Sequence, residues 1–158
     1  MPRSQLQKEI QQTKPFAAPA VEAYLNLLRT HDRVSGDVDR FMKQRGISQP
    51  QYNVLRILRG AGEDGLPSLA VAERMVARVP DITRLLDRIA AKGWIRRTRS
   101  TEDRRVVIAR ITPKGLRFMA TLDDPILEHQ RTTFGHMTAK DLRALSELLV
   151  KAREGATA

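Results

Sequence analysis

The chain has 158 residues, 41% of them hydrophobic, enough for one domain with a core of its own. Lys and Arg number 28 against 18 Asp and Glu, and the net charge of +10 points to a polyanionic partner, either nucleic acid or an anionic membrane surface. Cysteine is absent, which excludes disulfides, thiolate metal sites and thiol redox sensing by this chain, and no run approaches the roughly 18 apolar residues of a membrane span.

The opening Met1-Pro2-Arg3-Ser4-Gln5 leads into polar sequence rather than an apolar signal core, so a soluble cytoplasmic protein is expected. Residues 1–15 read as an N-terminal tail. From Pro19, Val21, Leu25, Leu28, Val34, Val38, Phe41 and Met42 recur at helical spacing until Gly46, and 16–46 is read as one long helix. A helix of that length in a small domain needs a partner for its apolar side. Ser48 and Gln51 form a capping box, with Ile47 and Tyr52 at the staple positions and Pro50 in the first turn. The helix they start carries Val54, Leu55, Ile57 and Leu58, apolar on most sides, and should be buried as far as Gly60.

Gly60-Ala61-Gly62-Glu63-Asp64-Gly65 fits G-x-G-x-x-G, yet it follows a helix and sets two carboxylates where a pyrophosphate would lie. It is read as a helix stop and a loop. Two short helices are expected next. Ser68 caps the first, through Leu69, Val71, Ala72 and Met75. Pro80 lies near the first position of the second, whose Ile82, Leu85, Leu86, Ile89 and Ala90 make a single apolar stripe. Its other face carries Asp81, Thr83, Arg84, Asp87 and Arg88, and Gly93 marks its stop. Residues 94–99 and 106–111 are β-branched and charged runs of strand length, read as a two-stranded hairpin around the polar turn 100–105. Thr112-Pro113 restarts helix, with a bend expected near Pro125, and Thr138 caps a last helix bearing Leu142, Leu145, Leu148 and Leu149.

The charge is concentrated. Residues 78–110 carry 10 positive and 4 negative side chains, +6 of the total +10. Helix, short turn, helix and basic hairpin make a winged helix-turn-helix, within a mainly α fold whose only β-structure is the small hairpin wing. An amphipathic helix of this kind can present Thr83 and Arg84 to base edges in a major groove, with Arg88 on phosphate. A narrow tip suits the minor groove for one of Arg104 and Arg105, the other pairing with Asp103 or the strand backbone. The DNA-contacting set is expected to comprise Ser68, Arg78, Pro80, Asp81, Thr83, Arg84, Arg88, Arg97, Arg99, Asp103, Arg104 and Arg105.

Pro80-Asp81-Ile82-Thr83-Arg84-Leu85-Leu86-Asp87-Arg88, Lys92-Gly93-Trp94-Ile95-Arg96-Arg97, Asp103-Arg104-Arg105 and Ile111-Thr112-Pro113-Lys114-Gly115 together resemble the MarR family of bacterial transcription regulators. The resemblance covers nearly the whole chain beyond the first 15 residues. It implies a homodimer clasped by the N- and C-terminal helices, bound to a pseudo-palindromic operator in double-stranded DNA. It implies a repressor in most members, released in many by a small aromatic or phenolic ligand. The chain then divides into a tail (1–15), a dimerisation helix (16–46), the winged helix-turn-helix (47–113) and C-terminal dimerisation helices (114–155). If a ligand acts here, its pocket should lie between the first long helix and the helices starting at Ser48 and Thr112. His31, Tyr52 and Arg56 would be its polar groups, and Phe41, Leu55 and Met119 its apolar wall. The bland reading leaves Arg56 a surface residue and His31 an interface contact.

No catalytic, metal or cofactor site is expected. His31, His129 and His136 are the only histidines, and no hydrolase, zincin or P-loop motif occurs. Aromatics, at 4%, are too few for RNA-stacking platforms. The alternative is a non-specific architectural DNA-binding protein without ligand control.

Overall fold

The computed structural model describes residues 3–155: seven α-helices, a 3₁₀ turn and a three-stranded antiparallel sheet. The first 15 residues are not wholly tail. Helix α1 (Gln5–Glu9) starts from a capping box in which Ser4 Oγ accepts from the Gln7 amide and Gln7 Oε1 accepts from the Ser4 N–H. Leu6 is buried there, and Arg29 Nε reaches Glu9 Oε2 at 2.7 Å to tie α1 to the next helix.

Helix α2 (Pro19–Gln44) opens with proline in its first turn and stops before Gly46, whose φ of 73° is the left-handed conformation that ends many helices. Helix α3 (Gln49–Ala61) has the expected Ser48–Gln51 box, and its Val54, Leu55 and Leu58 are wholly buried. The glycine-rich stretch after it is a 3₁₀ turn (Gly62–Asp64), not a phosphate loop. Gly65 then passes so close to the sheet that a Cβ would overlap the Ala109 carbonyl oxygen.

Beyond it lies a strand the sequence does not announce. β1 (Leu66–Pro67) pairs with β3 (Val107–Ile111), which pairs in turn with β2 (Ile95–Arg99). Two residues are too few to show a period of 2, and proline is tolerated here because β1 is an edge strand. The extra strand also changes the start of α4 (Ser68–Glu73). Pro67 holds the cap position, and the Ser68 hydroxyl donates to the Val107 carbonyl at 3.3 Å instead of capping. Helix α5 (Ile82–Ala91) is capped by Asp81, whose Oδ1 accepts from the Arg84 amide at 2.9 Å, so Pro80 lies outside the helix and not at its first position.

Helix α6 (Pro113–Phe134) starts at the Thr112 cap and runs without interruption through Pro125, where a bend was expected. Its start is fixed to the end of α5. Thr112 Oγ1 donates to the Gly93 carbonyl at 2.7 Å, the Thr112 amide to the Trp94 carbonyl at 2.9 Å, and Phe118 stacks on Trp94 with ring centroids 4.2 Å apart. Helix α7 (Ala139–Glu154) has a Thr138–Asp141 capping box.

One core results. Val54, Leu55 and Leu58 of α3 meet Val71 of α4, Leu85, Leu86 and Ile89 of α5, Ala109 of β3, and Met119, Leu122 and Ile126 of α6. Each large side chain fully buried here contributes about 1.5–3 kcal/mol. The two outer helices take little part. Met42 is the sole buried residue of α2 and α7 has none, while Val21, Tyr24, Leu27, Leu28, Leu148 and Val150 stay exposed.

Candidate nucleic-acid interface and cavity

Helix α5 turns its apolar stripe to the core, which leaves Thr83, Arg84, Asp87 and Arg88 exposed. Asp81 belongs to the cap, so its carboxylate serves the helix start before it can serve a ligand. Among the described residues no ion pair engages Arg78, Arg84, Arg88, Arg99 or Arg104. Five guanidinium groups without carboxylate partners suit a phosphate backbone and base edges.

Arg97 differs from them. The pairing of Ile95 with Ile111 and of Arg97 with Ala109 puts these residues on the inner face of the wing, where Ile95 and Ala109 are buried. Its guanidinium therefore turns inward and pairs with Asp87 of α5, its side chain only 18% exposed. In this arrangement Arg97 joins the wing to α5. On the opposite face Arg110 donates to Thr98 Oγ1 and to the Glu63 carbonyl, fixing the sheet to the turn after α3.

At the wing tip the two adjacent arginines separate. Asp103 Oδ1 accepts the Arg105 amide at 2.9 Å and its Nε at 3.2 Å, and Oδ2 accepts Nη2 at 3.2 Å. Arg104 is left exposed. The Arg105 guanidinium, followed by its backbone N–H, holds the Asp103 carboxyl below its ordinary value of 3.8. Ser100 Oγ accepts from the Glu102 and Asp103 amides, so the turn has a set shape before any partner arrives.

A cavity of about 810 Å³ lies between α2, α3, α6 and the connection from α4 to α5. His31, Tyr52 and Arg56 all line it, with Phe41 in its wall; Leu55 and Met119, expected there too, are instead fully buried in the core. Both carboxylates of the lining are already engaged: Asp123 takes Arg59 through both oxygens at 2.9 Å, and Asp39 accepts from Gln49 at 2.8 Å. Gln49 is neutral and leaves Asp39 its charge. Among the described residues Arg56 and Arg78 form no ion pair, so two unpaired cations face one unpaired carboxylate and the balance of the lining is positive.

His129 also lines the cavity. It stacks on Phe41 with centroids 4.2 Å apart, and its Nε2 lies 3.2 Å from Asp37 Oδ2 without the alignment of a hydrogen bond. Its signal was the spacing Leu122, Ile126, His129, which continues the buried stripe of α6. Asn53 and residues 75–79 of the α4–α5 connection complete the wall, and nothing in the sequence pattern marks them.

The MarR family model matches residues 47–107, from the start of α3 to the wing. A MarR transcription factor from Planctomyces limnophilus is 38% identical, with a TM-score of 0.68 over 85% of this chain and 98% of that one. The chain belongs to the MarR family. It is also 31% identical to the Escherichia coli HTH-type transcriptional regulator PapX, over 71% of this chain and 70% of PapX. The HTH-type transcriptional repressor IacR of Pseudomonas putida is 27% identical over 78% of this chain and 72% of IacR. In this MarR-family chain the winged helix-turn-helix is a DNA-binding element of transcription regulation. Among the described residues no helix is long and apolar enough to cross a membrane, and no group of three or more His, Asp or Glu is placed to hold a metal ion.

Proposed function

We propose that this chain is a cytoplasmic homodimeric repressor of a pseudo-palindromic operator, released by a small aromatic anion bound in the cavity. One observation carries the operator reading: α5 buries a single stripe and leaves Thr83, Arg84 and Arg88 free beside a wing whose tip is already shaped. Thr83 and Arg84, in the first turn, read base edges; Arg88, a turn further on, takes phosphate. Arg78, Arg99 and Arg104 add phosphate or minor-groove contacts, while Ser68, Asp81, Asp103 and Arg97 hold the reading surface in shape.

The open apolar faces of α2 and α7 support the dimer, with residues 16–45 of one protomer against 138–153 of its partner. Repression is proposed by likeness to IacR, a transcriptional repressor. The ligand reading rests on the excess positive charge of an aromatic-walled cavity at Arg56 and Arg78, with His31 and Tyr52 as further polar groups of its lining. No catalytic function is assigned.

Selection of bound duplexes from random DNA tests the core of this. A two-fold symmetric consensus with half-sites about one helical turn apart is expected. Binding without any consensus would favour the architectural alternative. Titration of salicylate against the selected complex tests release; unchanged affinity at millimolar salicylate, with no rise in melting temperature, removes the aromatic-anion reading.

A further inference from the structure

Two buried polar side chains stand out among the described residues, Gln7 and Asn53. Gln7 is satisfied locally, accepting from the Ser4 amide and donating to the Lys14 carbonyl. Asn53 is different. It sits on α3, the helix at the centre of the core, and its Oδ1 accepts the Val76 amide at 2.8 Å, twenty-three residues away in the connection between α4 and α5.

That connection, residues 74–81, is the turn of the helix-turn-helix. The Arg74 and Met75 amides still bond back to α4, at the Val71 and Ala72 carbonyls. From Val76 to Asp81 the only amide with a partner among the described residues is Val76, and the partner is Asn53. Packing does not replace this contact at Val76, whose side chain is 83% exposed. Asn53 and Val76 both line the cavity.

We infer that Asn53 is a positioning residue for operator recognition: by holding the Val76 amide it fixes the turn, and with it the angle at which α4 delivers α5 to the groove. A buried acceptor on a rigid core helix defines a point in space for a loop whose other anchors are the non-directional contacts of the partly buried Met75 and Val79 with the core. Operator contacts need that placement because base-edge hydrogen bonds tolerate little displacement, whereas phosphate contacts made by long arginines tolerate much. The loss of Asn53 therefore separates specific from non-specific binding. The inference deepens the operator reading above and rests on it.

Hydrogen exchange in the native chain, followed by NMR, gives the first test. The Val76 amide should exchange at least about tenfold more slowly than the Ala77 and Arg78 amides, which have no partner. Exchange at the same rate as those two neighbours overturns the inference, and this holds whether or not any variant folds. The second test compares Asn53→Leu, similar in size but without an acceptor, with Asn53→Asp, which keeps one. In Asn53→Leu the ratio of affinities for the selected operator and a scrambled duplex should fall about tenfold, with Val76 protection lost. Asn53→Asp should keep the ratio within about threefold and retain the protection. A native ratio in Asn53→Leu, or an equal loss in both variants, overturns the positioning role. A native chain that prefers no duplex overturns the operator reading instead, and the exchange rates still report the Asn53–Val76 contact on their own.

Discussion

Gly65→Ala should be far more damaging than Gly46→Ala, although both glycines have positive φ, of 68° and 73°, because Gly65 also has a ψ of −163°, a region that only glycine enters readily. An L-residue forced into the left-handed conformation of a helix end, as at Gly46, costs about 1–2 kcal/mol, and one forced into the Gly65 conformation costs about 1–3 kcal/mol. The restricted unfolded chain returns about 0.4–1 kcal/mol of this. At Gly46 nothing lies within 4 Å of the new Cβ, so the loss should stop at about 1 kcal/mol. At Gly65 the Cβ would overlap the Ala109 carbonyl oxygen and come within 2.5 Å of Arg110 Cγ. Ala109 is on the middle strand, opposite Leu66 on one side and Arg97 on the other, so it cannot retreat without loosening the β1–β3 pairing. Losing one or two hydrogen bonds there adds about 2–3 kcal/mol. The expected totals are about 3–4 kcal/mol for Gly65→Ala and about 1 for Gly46→Ala. Urea melts of both variants at one fixed protein concentration measure the difference, since the proposed dimerisation would link stability to concentration. Operator affinity should fall with Gly65→Ala alone, because β3 carries the wing. Equal losses of stability in the two variants would refute the claim that the turn after α3 is pressed against the wing.

Leu145→Asp combined with Leu148→Asp should turn a dimer into monomers that bind DNA weakly; light scattering giving the native chain the mass of one protomer would refute the interface. Arg84→Ala should cost about 1–3 kcal/mol and relax preference at one position of each half-site, whereas Arg88→Ala should weaken all duplexes alike and lower the salt slope. Identical responses of the two across operator variants would reject that division. Asp103→Ala should weaken operator binding severalfold although it removes a negative charge near DNA, because Arg105 and the turn lose their anchor; tighter binding would show that simple charge dominates. The Asp103 carboxyl is held down in the folded chain, so its grip on the wing tip is complete above the ordinary value of 3.8 and is lost as pH falls through the lower folded value. Carboxyl NMR titration should place its midpoint below 3.8, and Arg105→Ala should move that midpoint up.

Where two local signals agreed, the sequence was easily read. The apolar stripe of α5 and the Ser48–Gln51 box each dictate helix independently of the rest of the chain. Elements set by distant contacts were not legible. Ser68 has the chemistry of a helix cap, but β3 arrives beside it and its hydroxyl goes to Val107 instead. Pro80 fits the first helical position by statistics, yet the Asp81 carboxylate competes for the cap and moves the start two residues on. The basic run puts Arg97 in the expected DNA-contacting set and does not disclose its pair with Asp87. Strand parity, read against the buried Ile95, would have turned it inward. The Ser4–Gln7 box of α1 was visible, but with so few apolar residues around it the segment passes for tail. The three cavity residues His31, Tyr52 and Arg56 are expected from the ligand control that the family resemblance implies, and they do line one space; Asn53 is hidden because its acceptor role depends on a turn with no periodic pattern.

The junction at Thr112 makes one rigid body of two parts that have separate tasks. Hydrogen bonds from Thr112 to the Gly93 and Trp94 carbonyls, a Lys114 contact to the Lys92 carbonyl and the Trp94–Phe118 stack leave no hinge between the base of the wing and α6. With 22 residues, α6 is a lever about 33 Å long. A tilt of about 5° at its far end therefore sweeps that end through about 3 Å, and the wing must follow the same rotation. If the proposed dimer forms, small adjustments where its protomers meet would reach the wing as changes of angle, without any residue of the wing having to rearrange.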